Sequence, residues 1–320
     1  NSLARHTTTK RLQMQNCILP MHICLMEAFC CNKHSKTKCS LYFLRLHFIW
    51  VGLMTPDEEK ELIRIDNVSH TFNTNTGALP VLKNLTLSVP ENGFTAIVGP
   101  SGCGKSTVTR LVAGLLKPNS GSIWLQGKKV LSPRNIVGMA FQNPVLLEWR
   151  SILKNVMLPL EIVPNSLSPT NREERARALL KLVGLAGFEH KRPSELSGGM
   201  RQRASLCRAL VHRPEVLILD EPFGALDAFT REDLWQIMHQ LRAEEPFTGV
   251  LITHDLREAI FLADEVIVLS GRPATVQFRQ KLTQQGARSL DQLYTREANE
   301  TLLVLREQIK IARHAEEIGA

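Results

Sequence analysis

The 320-residue sequence has no apolar run of the length a bilayer requires. The apolar stretch 41–54 covers 14 residues and is interrupted by Arg45 and His47, whereas a spanning helix needs roughly 20. It also lies too far from the terminus for an ordinary signal peptide. With a mean hydropathy of −0.08, this excludes a multi-span membrane protein. A paired CxxC is missing too, so the cluster Cys30, Cys31, His34 and Cys39 fits no common zinc spacing. There is no internal repeat and no low-complexity segment. Beyond residue 54 there is almost no charge excess: 32 basic and 30 acidic residues leave +2 of the chain's +8. That part lacks a nucleic-acid footprint, so no nucleic-acid partner is expected. It holds only two of the seven cysteines, Cys103 and Cys207, which suits a reducing compartment. The basic and cysteine-rich character belongs to residues 1–54, with seven Lys/Arg, the single acid Glu27 and five cysteines. We expect this stretch to be a non-domain extension, with Met54 as the natural start.

What the rest of the chain does have is alternation. Residues 61–72 and 81–89 read as strands, separated by Asn73, Asn75 and Gly77. A short apolar run, 94–98, leads into a glycine-rich loop. Val108, Leu111, Val112, Leu115 and Leu116 then follow one helical face as far as Pro118. Residues 151–161 and 172–183 read as helices. The run 216–219 is apolar throughout, as a strand buried on both faces requires. Thr230 with Asp233 resembles a capping box ahead of Leu234, Ile237, Met238 and Leu241. Further strands are expected at 250–253 and 265–269. Alternating strands and helices predict an α/β layer architecture.

Three motifs carry chemistry. Gly99, Pro100, Ser101, Gly102, Cys103, Gly104, Lys105, Ser106 and Thr107 spell GxxxxGK[ST] between a strand and a helix. Glycines let backbone N–H groups converge on one anion, and the helix N-terminus adds positive partial charge. Lys105 is placed to reach the β- and γ-phosphates, and the Ser106 hydroxyl to ligate Mg²⁺. Cys103 is expected to act there only as a small side chain. The run ending in Asp220 and Glu221 delivers two carboxylates to the C-terminal edge of a buried strand, where open α/β sheets bind ligands. Asp220 would hold Mg²⁺ through water, and Glu221 would accept a hydrogen bond from an attacking water. Third, Leu196-Ser197-Gly198-Gly199-Met200-Arg201-Gln202 opens a helix whose N-terminus is a second anion site.

The motif LSGGxxQ resembles the signature of the ATP-binding-cassette (ABC) ATPase family. The order also resembles that family: Lys105, Phe141-Gln142, the signature, Asp220-Glu221, then His254. Ser197 precedes Asp220 by 23 positions and Glu221 precedes His254 by 33. The resemblance covers about residues 60–275 and implies a P-loop NTPase cassette: a RecA-like core, an antiparallel β subdomain and a helical subdomain at about 143–212. The cassette would occupy 55–275 and a helical tail 276–320, with Leu290, Leu293, 302–305 and 309–311 as its apolar positions. The resemblance further implies ATP and Mg²⁺ as cofactors. It gives Phe72, 27 positions before Gly99, the role of stacking on adenine. Gln142 would touch Mg²⁺ or the attacking water, His254 the γ-phosphate, and Asp227 an interface between two copies. Ser197, Gly198 and Gly199 of one copy would meet the nucleotide of a second copy arranged head to tail. Cys207 stands where the family often has Ala, so small-for-small packing is expected.

Residues 141–150, 224–235 and 253–272 most resemble ATPases of nitrate, sulfonate and taurine importers, with Glu148 standing where that subgroup usually has Pro. The implied function is ATP hydrolysis at the cytoplasmic face of the cell membrane. It would drive uptake through separate permease subunits and, indirectly, a solute-binding protein. Leu146, Leu147 and Trp149 are candidate permease contacts, with packing inside their own subdomain as the alternative. An exporter or lipoprotein-release ATPase, or a non-transport ABC ATPase, is the competing reading. Non-transport members usually carry tandem cassettes or a coiled-coil insertion, and this chain has neither.

Overall fold

The computed structural model describes residues 60–75, 77–282 and 288–319, with side chains described as far as residue 314. The expected extension 1–54, with its cysteine cluster and Met54, lies outside the described residues. The described residues all fall within one unit, Glu59–Ala320.

A four-stranded antiparallel sheet is built from β1 (Glu61–Thr74), β2 (Gly77–Pro90), β4 (Ser120–Leu125) and β5 (Lys128–Lys129), in the order β2-β1-β4-β5. The second sheet has six strands in the order β10-β9-β3-β8-β7-β6. These are β3 (Phe94–Val98), β6 (Val137–Ala140), β7 (Val216–Asp220), β8 (Thr248–Ile252), β9 (Glu265–Leu269) and β10 (Val276–Lys281). Strands β9, β3, β8, β7 and β6 run parallel, and β10 closes the edge antiparallel to β9. Among the described residues seven helices accompany them: α1 (Lys105–Val112), α2 (Ile152–Ile162), α3 (Pro169–Leu182), α4 (Gly198–Leu210), α5 (Ala228–Glu244), α6 (Leu256–Leu262) and α7 (Arg296–Gly319).

The parallel strands are buried on both faces, and the period of two divides their side chains between two cores. Ala96, Val98, Leu217, Leu219, Leu251, Val266 and Val268 face one core together with α2–α5. Ile97, Val216, Ile218, Val250, Ile252, Ile267 and Leu269 face the other, with α1 and the antiparallel sheet. Truncating one such side chain, Leu219 to Ala for instance, costs about 2–5 kcal/mol.

Several local expectations change. The α1 helix ends well before Pro118. Gly114, at φ 75°, terminates it in a Schellman motif, with Leu115 N bonded to Arg110 O and Gly114 N to Leu111 O. Leu115 is therefore exposed instead of continuing the buried face. Helix α5 starts ahead of the expected Thr230 box. Asp227 is its N-cap, accepting from Thr230 N at 3.0 Å and Thr230 Oγ1 at 2.7 Å. The stretch expected as a helical tail begins with a strand, β10, before a 3₁₀ turn (Leu290–Tyr294) and α7. The segment 147–151 is fixed by buried Asn155, whose amide nitrogen donates to the carbonyls of Leu147, Arg150 and Ser151 while its oxygen accepts from Leu147 N. That brace leaves Trp149 74% exposed, whereas Leu146 is 8% exposed and packed inside the helical layer.

Candidate active site

The loops following β3, β6, β7 and β8 share one edge of the parallel sheet, and they bring the expected catalytic residues together. After β3 comes the glycine-rich loop. Gly104 sits at φ 118°, and a Cβ there would stand 2.6 Å from Val81 Cγ1. Only a bare backbone can lie that close to β2 in that conformation. The loop feeds directly into α1, whose N-cap is Gly104 itself, with no side chain occupying the helix's first amides. Lys105 is buried, its ammonium donating to Gly99 O at 3.0 Å and Pro100 O at 2.7 Å. The ammonium is therefore folded back onto the carbonyls that open the glycine-rich loop. Cys103 is buried within the same loop.

Asp220 ends β7 and is buried; it accepts from Ser106 Oγ at 3.0 Å. Burial raises its pKa above the ordinary value, the Ser106 hydrogen bond partly opposes this, and neighbouring Glu221 adds to it. An under-neutralised carboxylate beside a hydroxyl is a hard-oxygen pair suited to a small divalent cation. Among the described residues no group of three or more His, Cys, Asp or Glu could hold a metal alone.

Glu221 follows at φ 48°, a left-handed conformation unusual for a non-glycine residue. Its amide donates to Ile252 O at 2.9 Å, anchoring the turn to β8. The carboxylate is thereby aimed at two other loops. Oε2 accepts from Gln142 Nε2 at 2.9 Å, and His254 Nδ1 stands 3.5 Å away. The His254 side chain is 68% exposed and Glu221 22%, so the imidazole faces outward with the carboxylate behind it. Backbone strain of this kind, at a carboxylate that contacts both neighbouring loops, clusters at functional sites.

The signature residues stand apart from this cluster. Ser197 caps α4, its hydroxyl accepting from Met200 N at 3.3 Å. Gly199 lets the chain pass close to Leu226, where a Cβ would be 2.9 Å from Leu226 Cδ2. Gln202, buried, donates to Phe141 O at 3.3 Å and so ties α4 to the segment carrying Gln142. Phe72 is half-buried on β1, edge-to-face with His70 at 4.6 Å between ring centroids. Asp227 is exposed, and its N-cap hydrogen bonds hold its carboxyl below the ordinary value. Burial pushes the Cys207 thiol up to about 12, so it is inert packing.

Sequence reasoning missed Arg231, Asp255 and Glu258. Asp255 caps α6, accepting from Arg257 N at 2.9 Å, and pairs with Arg231 at 2.9 Å. The available signal was an Asp immediately ahead of an apolar helical run.

The family described as ABC transporter matches residues 82–224. The nitrate import ATP-binding protein NrtD of Synechococcus elongatus is 43% identical over 212 residues, 66% of this chain and 77% of the relative. The taurine import ATP-binding protein TauB of Pseudomonas syringae pv. tomato is 44% identical over 199 residues, covering 62% and 76%. The bicarbonate transport ATP-binding protein CmpD of Synechocystis is 41% identical over 221 residues, covering 68% and 78%. Among solved structures, the dimeric post-hydrolysis state of the ATP-binding cassette MJ0796, bound to ADP and Pi, is similar with a TM-score of 0.64 and 32% identity. The match covers 70% of this chain and all of that one. The chain belongs to the ABC transporter ATP-binding family, whose members bind and hydrolyse ATP.

Proposed function

We propose that this chain is the ATP-hydrolysing subunit of an ABC importer that takes up a small solute of the nitrate, sulfonate or taurine class through a separate permease. The observation that carries the reading is Glu221, held between Gln142 and His254 beside the Ser106–Asp220 pair. The names of the nitrate, taurine and bicarbonate relatives support import.

In this reading the loop 99–107 wraps the phosphates of ATP and Phe72 stacks on the adenine. Phosphate oxygens take over the Lys105 ammonium from the Gly99 and Pro100 carbonyls. Glu221 accepts a hydrogen bond from water and orients it in line with the γ-phosphorus, with Gln142 fixing the carboxylate. His254 donates to the γ-phosphate, and Lys105 offsets its charge. Ser106, Asp220 and the Gln142 amide oxygen would hold Mg²⁺, which would supply positive charge against the phosphate oxygens. A second copy, head to tail, brings its own Ser197, Gly198 and Gly199 to the same phosphates. One chain cannot present both anion sites to a single nucleotide. Asp227 faces the interface between the copies.

No helix among the described residues is long and apolar enough to cross a membrane. Attachment to the cytoplasmic face of the membrane is through the permease, with exposed Trp149 and half-buried Leu147 as its contacts; Leu146 is withdrawn from that set because it is buried. A solute-binding protein delivers cargo on the far side. The test is copurification with the permease, followed by ATPase assays in proteoliposomes. Hydrolysis stimulated by cargo-loaded binding protein is the expected result. Indifference to cargo from either side of the membrane contradicts the importer reading.

A further inference from the structure

Arg231 lies at the end of the first turn of α5, within the segment 224–235 but with no role assigned to it so far, and its guanidinium joins two segments that do different work. Nη2 donates to Leu226 O at 3.0 Å, and Nη1 to Asp255 Oδ2 at 2.9 Å. Leu226 is the buried anchor of an otherwise exposed stretch: Gly224, Ala225, Asp227, Ala228 and Phe229 all face outward. It is also the side chain lying against Gly199. On the other side, Asp255 directly follows His254. Its carboxylate caps α6, and its amide donates to Thr253 Oγ1 at 2.9 Å. Thr253 is buried, with its own amide on Ile97 O. His254 therefore sits between two residues that are each held, one by β3 and one by Arg231.

We propose that Arg231 is a positioning residue that couples the segment facing the second copy to His254, so that the imidazole reaches its working position only when that segment is seated. A guanidinium is planar and its fork rigid. A displacement of the Leu226 carbonyl is therefore passed to Asp255, and from Asp255 through one peptide bond to His254. The pair is about three-quarters buried on each side, with side-chain exposures of 25% and 24%, so it is less weakened by solvent than an open surface pair. The inference rests on the two-copy ATPase reading above.

The experiment compares Arg231→Met, Asp255→Asn and the double variant with wild type in steady-state ATP hydrolysis. In parallel, Arg231→Met is placed in a Glu221→Gln background and its ATP-driven dimerisation is followed by size-exclusion chromatography. We expect kcat to fall between about tenfold and a hundredfold with KM within about twofold, since a small displacement of a reacting group has effects of that order. The double variant should be no worse than Arg231→Met, because the two residues act as one unit. The Glu221→Gln/Arg231→Met protein should still dimerise with ATP. A kcat within about twofold of wild type overturns the inference. So does a matching rise in KM or lost dimerisation in the double background, which would show Arg231 to be merely structural. Failure of Glu221→Gln alone to dimerise with ATP is a separate result: it contradicts the two-copy reading and overturns the inference with it.

Discussion

At the scale of single residues, the glycine-rich loop depends on a bare backbone at Gly104. Gly104, at φ 118°, lies 2.6 Å in its virtual Cβ position from Val81 Cγ1 and 3.1 Å from Leu82 Cδ2. Gly104→Ala must both strain the backbone and push β2 away. We predict a loss of ATP affinity of about fivefold to a hundredfold, of the order that about 1–3 kcal/mol of strain implies, measured by nucleotide titration. Unchanged affinity would show that the loop relaxes without moving its amides. These positions were legible in the sequence because each has a local job fixed by spacing: glycine for the turn, Lys105 for charge, Ser106 for a hydroxyl. Leu115 was not, because the apolar period ran on past the point where Gly114 ends the helix. Arg231 was not legible either, since its partners lie 5 and 24 positions away in different segments.

At the scale of elements, α6 carries a conflict at its start. Glu258 stands in the first turn, 3% exposed. Burial drives its pKa well above the ordinary 4.5, and the charges of Asp255 and Glu221 add to the rise while Thr253 and Arg231 oppose it. A carboxyl whose folded pKa is raised binds its proton more tightly in the native state. Its favourable contribution is complete below the unfolded value and is lost as pH rises through the folded one. Glu258→Gln, isosteric and neutral, should match wild type in thermal stability at acidic pH. As pH climbs above the ordinary carboxylate range it should become progressively the more stable of the two. A difference between the proteins that stays constant with pH would contradict this origin. Helix existence was legible here from the apolar run, whereas the boundary of α5 was not. The true N-cap, Asp227, lies three residues before Thr230, which instead bonds back to it.

At the scale of the whole molecule, the two cores on either side of the parallel sheet explain how separate motifs reach one place. Strands β3, β6, β7 and β8 are pinned from both faces, so their C-terminal ends hold Lys105, Gln142, Glu221 and His254 at one edge. The apolar runs of β3 and β7 made those strands legible. The six-strand order and the antiparallel β10 were not, because pairing between distant strands leaves no local trace. In the proposed two-copy reading the Ser197–Gly199 segment would complete the chemistry only across two copies, which would link hydrolysis to assembly. The most direct test is ATP hydrolysis by Glu221→Gln beside wild type at saturating Mg²⁺ and ATP. Loss of a group acting as general base is worth about 10²–10⁴-fold. The account predicts a fall of that order with ATP still bound and the protein held as an ATP-dependent dimer; near-normal turnover would contradict it.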